Sequence, residues 1–140
     1  MFELTYSSFA GPDLRKKDIL EIERVSILHN SINDITGCLV CHNNEFVQIL
    51  EGSESLVKEL YAKITRDDRH RGICSVFSGP IEERQFKDWR MIYNHLSLQK
   101  HKMYNGFLFE QNLKSLCNLT KPKTRGSHIF WNSVAELTNI

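Results

Sequence analysis

No stretch of this 140-residue chain stays apolar for the roughly 20 residues that would cross a bilayer. Met1-Phe2-Glu3 opens no signal peptide, so the protein is expected in the cytoplasm and away from membranes. Neither sign of charge dominates: 18 Lys and Arg against 17 Asp and Glu leave a formal net charge of +1, which gives no electrostatic reason for direct nucleic-acid binding. Cysteine is sparse at four, and in the compartment expected here reduced thiols are expected in place of a disulfide framework.

One cysteine pair needs an answer all the same. Cys38-Leu39-Val40-Cys41-His42 spells C-x-x-C-H, the haem-attachment string and half of a zinc or redox motif. The segment follows Thr36-Gly37 and reads as a strand, which sends residues i and i+3 to opposite faces. Two such sulfurs cannot grip one metal or porphyrin. No second C-x-x-C or H-x-x-x-H completes a zinc site either, so neither metal nor haem is expected.

What is present fits one domain with a single core: 41% of residues are hydrophobic, and a chain of this length buries roughly two thirds of its unfolded surface. Phe2 to Tyr6 predicts a first strand. Gly11-Pro12-Asp13 predicts a turn with Asp13 as N-cap, followed by a helix carrying Leu14, Ile19, Ile22, Val25, Ile27 and Leu28 toward Asn30. Thr36 to His42 and Glu45 to Leu50 predict two strands joined through Asn43-Asn44, residues that tolerate the positive φ of a tight hairpin. Leu56, Leu60 and Ile64 predict a second helix ending near Arg66. Ile73 to Phe77 and Arg90 to Leu96 predict two more strands, separated by a Ser78-Gly79-Pro80 turn and a charged connection from Glu82 to Asp88.

The order β-α-β-β-α-β-β predicts an α+β fold, a ferredoxin-like mixed sheet with both helices on one face. Its first and third strands are expected side by side at the centre. Helical stretches around Gly106 to Leu119 and Ser127 to Leu137 form a C-terminal helical appendage, dividing the chain into residues 1–97 and an extension of residues 98–140. That extension is rich in apolar side chains such as Phe109, Leu113, Leu116, Phe130, Trp131 and Val134. It is expected to cover the open sheet face and to contribute to a homo-oligomer or partner surface.

Within Phe46-Val47-Gln48-Ile49-Leu50 the lone amide shares its face with Phe46 and Leu50, so Gln48 points into the core. Leaving a buried amide unsatisfied costs about 1–3 kcal/mol, so a polar partner is expected. Tyr6, pointing to the same interior from the first strand, is the candidate.

Tyr6, His29-Asn30 before Ile-Thr-Gly, Phe-x-Gln-x-Leu-Glu-Gly at 46–52, Arg-Asp-x-Arg-His at 66–70 and Trp-x-Met at 89–91 occur in this order and separation. Together they resemble the BLUF family of blue-light sensors using flavin, over about residues 2 to 96. Carboxamides such as those of Asn30 and Gln48 can complement the alternating donors and acceptors of an isoalloxazine edge. The resemblance implies noncovalent FAD, with FMN as the alternative, sandwiched by Ile22 and Ile64. It places Lys63, Asp67, Arg69 and His70 near the ribityl and phosphate end, where cations would neutralise phosphate. It further implies electron and proton transfer from Tyr6 by way of Gln48, leaving Gln48 rotated or tautomerised, and a relay through Trp89 and Met91. No catalysis is implied. Since no cyclase, phosphodiesterase or DNA-binding element follows the domain, the output is expected to reach a separate signalling protein.

Taken singly these residues have plainer uses: Tyr6 as a core aromatic, Asn30 as a helix C-cap, the 63–71 cluster as a solvated helix end, Trp89 and Met91 as core filler. Only their joint register favours the sensor. The alternative from another class is a small acylphosphatase-like hydrolase on the same fold, with Arg15 or Arg69 holding phosphate and Asn30 orienting water.

Overall fold

The computed structural model describes residues 1–94 and 102–138; for Asn94 and residues 102–107 it describes the backbone only. The expected end of the fifth strand at Leu96, the 97/98 division, and the residues His95 and His101 lie outside the described residues.

Among the described residues, five strands and four helices follow in the order β1 (Phe2–Ala10), α1 (Lys16–Ile32), β2 (Thr36–His42), β3 (Glu45–Gly52), α2 (Glu54–Thr65), β4 (His70–Pro80), β5 (Trp89–Asn94), α3 (Lys102–Thr120) and α4 (Arg125–Thr138). The strands lie in the order β4-β1-β3-β2-β5. All neighbours are antiparallel except β2 and β5, so the sheet is mixed, as expected of the ferredoxin-like arrangement with one added edge strand.

The Asn43-Asn44 turn has φ of +49° and +67°, the left-handed geometry the hairpin requires. Ser53 caps α2 by accepting from Leu56 N at 3.4 Å. The N-cap of α1 is Arg15 and not Asp13: residues 11 to 14 close a turn in which Leu14 N donates to Gly11 O, and Asp18 then accepts from Arg15 N at 2.9 Å. Pairing lengthens β1 to Ala10 and β4 to Pro80, absorbing the expected Ser78-Gly79-Pro80 turn, because each strand supplies the other's backbone partners. Two irregularities of register, at Thr5/Tyr6 and Ser7/Phe9, accompany that extension.

Strand alternation gives the sheet two apolar faces and the molecule three layers. On the front face Phe2, Leu4, Tyr6, Leu39, Phe46, Leu50, Trp89 and Met91 pack under Ile19 and Ile22 of α1 and Val57, Leu60 and Ile64 of α2. On the back face Cys38, Val40, Val47, Ile49 and Ile92 pack under Phe109, Leu113 and Leu116 of α3 and Phe130 and Val134 of α4. The two sulfurs of the C-x-x-C-H string thus stand in different cores.

Candidate functional site

The row Ser75, Tyr6, Gln48, Leu39, Met91 runs straight across the sheet, one residue from each strand. Tyr6 and Gln48 are both buried, and Gln48 Nε2 donates to Tyr6 Oη at 2.5 Å. Trp89 Nε1 donates to Gln48 Oε1 at 2.8 Å. An indole is a donor only, so it admits only the amide oxygen and fixes which way Gln48 faces.

Trp89 reaches Gln48 across β2. Its own partner there is Gly37, which presents no side chain beside it. Gly37 has φ +147°, and a Cβ placed on it would lie 1.9 Å from Ile49 O.

A cleft opens over Gln48 between the two front helices. It is lined by Tyr6, Ile22, Ser26, Asn30, Leu39, Phe46, Gln48, Leu60, Ile64, Asp67, Arg69 and His70. Ile22, Ser26 and Asn30 follow at four-residue intervals on α1, and Leu60 and Ile64 face them from α2. Asn30 is buried, and His29 Nδ1 lies 3.2 Å from its Oδ1, which leaves the amide nitrogen as a donor. The walls are apolar and the deep edge carries two carboxamides. That donor set fits a flat aromatic ring with alternating donors and acceptors along one edge, as a flavin has.

At the mouth, Arg69 holds Asp67 through two parallel hydrogen bonds, Nε to Oδ1 at 3.0 Å and Nη2 to Oδ2 at 2.6 Å. The guanidinium keeps the Asp67 carboxyl below the usual carboxylate range. His70, the first residue of β4, bridges Ile64 O at 2.6 Å and Ser8 Oγ at 2.9 Å, tying the end of α2 to β1. Burial in the apolar core raises the Tyr6 phenol far above the usual tyrosine value, so it stays neutral.

The structure therefore gathers eight of the expected binding residues around one cleft: Tyr6, Ile22, Asn30, Gln48, Ile64, Asp67, Arg69 and His70. His29 and Lys63 instead line a neighbouring depression between α1 and α2, with Asn33, Leu56, Glu59 and Leu60. Trp89 and Met91 share the front core, Trp89 on Gln48 and Met91 beside Leu39. Sequence reasoning missed Ser26, Leu39, Phe46 and Leu60 as cleft residues. Helical spacing from Ile22 and Ile64 would have found Ser26 and Leu60, and strand alternation would have found Phe46.

The hydrolase alternative has no support here. Arg15 is not among the cleft residues, and the Arg69 guanidinium is engaged by Asp67.

Comparison with known proteins agrees with the site. The sequence pattern of BLUF, "Sensors of blue-light using FAD", matches residues 1–92. The chain is 38% identical over 86 residues to photoactivated adenylate cyclase subunit alpha of Euglena gracilis, covering 61% of this chain and 8% of that protein. It thus spans under a tenth of the length of that relative. Among solved structures it resembles the dark state of BlrB, a BLUF protein, with 36% identity and a TM-score of 0.63 over 66% of this chain and 71% of that one. Klebsiella pneumoniae BlrP1, at 24% identity, shares the fold over 99% of this chain and 34% of its own, TM-score 0.74. The chain belongs to the BLUF family of flavin-binding blue-light sensors, and its Gln48–Tyr6 hydrogen bond fits the switch of that family.

Proposed function

We propose that this chain binds FAD noncovalently in the cleft between α1 and α2, switches on blue light through Tyr6 and Gln48, and signals to a separate protein without catalysing a reaction of its own. The observation that carries this reading is Gln48 held between two groups of different chemistry, a phenol and an indole. Ile22 and Ile64 sandwich the ring, and Asn30 with Gln48 meets its polar edge. Asp67, Arg69 and His70 sit toward the ribityl and phosphate end, with His29 and Lys63 at the adjoining depression within reach of the adenine side.

When bound and excited, the flavin supplies an acceptor for one electron and one proton, which a phenol can provide. The chain's own part is to hold that phenol neutral and to record the event in the amide. Tyr6 Oη accepts from Gln48, which leaves its own O–H free to donate. A half turn of the amide would bring Oε1 to Tyr6, where the phenol donates, and would set Nε2 against Trp89 Nε1, two donors face to face. The imidic tautomer would likewise place an O–H where Trp89 now finds an acceptor. Both routes weaken the Trp89 bond, so Trp89 and, through β5, Met91 carry the change outward. The protein acts in the cytoplasm as a homo-oligomer, its partner reading the C-terminal helices.

Visible spectra in the dark and after blue illumination test this. A reversible red shift of a flavin spectrum is expected, with Gln48→Leu and Tyr6→Phe keeping the yellow colour and losing the shift. A normal photocycle in either variant, or a protein that takes up no flavin on reconstitution, would contradict the reading.

A further inference from the structure

Behind the photoactive face of β3 lies a buried carboxylate whose hydrogen bonds go to neither Tyr6 nor Gln48. Glu51 follows Gln48 by three residues, so strand alternation turns it to the opposite face, where it is fully buried. Its Oε2 accepts from Gln85 N at 2.8 Å, and its Oε1 from Phe86 N at 2.9 Å and Thr36 Oγ1 at 3.3 Å. A carboxylate removed from water needs such donors, and the two backbone ones belong to the segment that leads into Trp89. That segment crosses from one core to the other: Phe86 belongs to the back core and Trp89 to the front core. Three residues span at most roughly 10 Å, so the clamp at Phe86 limits where the indole can sit.

The same segment touches the C-terminal helices. Gln85 Oε1 accepts from Lys123 N at 2.9 Å, and the Phe86 ring meets Phe130 edge-on at 6.0 Å between centroids. Glu3, paired across the strands with Glu51, is also buried. Its Oε1 accepts from Gly126 N and its Oε2 from Thr124 Oγ1, both at 2.8 Å, placing a carboxylate at the first turn of α4. A Cβ on Gly126 would lie 2.3 Å from that carboxylate, so the approach depends on glycine.

We propose that Glu51 is a positioning residue of the photoswitch: it clamps residues 85 and 86 so that Trp89 meets Gln48, and with Glu3 it makes the start of α4 the element that yields when that contact changes. The inference rests on the photosensor reading above. Dark recovery of the absorbance, together with light-minus-dark hydrogen exchange across residues 121–138, reads it in the flavin-loaded full chain.

Glu51→Gln is expected to keep flavin and the red shift while changing the recovery rate roughly tenfold, the weight of one hydrogen bond to a charged acceptor. Gln85→Ala leaves the backbone clamp in place, and is expected to keep the recovery rate while losing most of the light-induced exchange change at α4. Should Glu51→Gln fail to fold, Glu51→Asp keeps the charge, shortens its reach and is expected to move recovery likewise. A wild-type red shift with unaltered recovery in the Glu51 variant overturns the inference alone, as does an α4 whose exchange ignores light. A wild type with no red shift overturns the photosensor reading and this inference with it.

Discussion

Gln48 satisfies its amide with a phenol on one side and an indole on the other, and the two partners impose different demands. Tyr6 Oη can donate or accept, whereas Trp89 Nε1 only donates, so the amide has one orientation that serves both. The phenol's burial has a consequence in alkali. Its ionisation lies above the ordinary value of 10.0, so the unfolded chain loses that proton first as pH rises. Stability is then full below pH 10 and declines above it, because the unfolded state binds fewer protons than the native state. The denaturant midpoint, followed against pH, is expected to fall less steeply above pH 10 in Tyr6→Phe than in the wild type; equal slopes would contradict this. That Gln48 must find a polar partner was legible in five residues of sequence, since an amide among Phe46, Val47, Ile49 and Leu50 has few fates. Its bond to Trp89 was not, because it depends on two strand pairings and on the bare position at Gly37.

Elements show the same division between local and distant causes. The Asn43-Asn44 hairpin and the Ser53 start of α2 followed from side chains acting within a few residues. The start of α1 is set just as locally but at a different residue: the sequence offered Asp13, and the chain used Arg15 and Asp18 once residues 11 to 14 had closed their own turn. Strand ends were legible only as far as apolar alternation ran. The extra lengths of β1 and β4 are set by each other's hydrogen-bonding groups. Within β2, Gly37 combines a φ of +147° with a backbone oxygen 1.9 Å from any Cβ. Gly37→Ala must therefore separate β2 from β3 locally, at a cost of about 3 kcal/mol or more. Urea unfolding is expected to show that loss together with a weakened red shift, since β2 lies between Trp89 and Gln48. A variant within about 0.5 kcal/mol of wild type would refute it.

At the scale of the molecule, the C-terminal helices complete a second core and are not an independent unit. Phe130 is fully buried against Phe86 and Trp131, beneath a sheet face made of Cys38, Val40, Val47 and Ile49. Phe130→Ala is expected to destabilise the whole protein by roughly 3–5 kcal/mol in a single transition, measurable by denaturation followed through both flavin absorbance and far-UV circular dichroism. Two separate transitions would show that the back layer unfolds by itself. Removing residues 102–138 bares that apolar face, so the shortened chain is expected to self-associate in light scattering. A soluble monomer would contradict the packing argument.

The sequence by itself determined the order of elements and, through period-two alternation, that Tyr6 and Gln48 point into one core; most of the cleft, Ile22, Asn30, Ile64, Asp67, Arg69 and His70, followed from the family resemblance. The four-residue recurrence of Leu56, Leu60 and Ile64 placed Ile64 on the buried stripe of α2. Tertiary structure alone decided that Trp89 closes on Gln48, that His29 and Lys63 turn to a separate depression, and that Glu51 and Glu3 grip segments 34 and more than 120 residues away. Those contacts join parts of the chain that share no local periodicity, and only the assembled sheet brings their donors and acceptors within hydrogen-bonding distance.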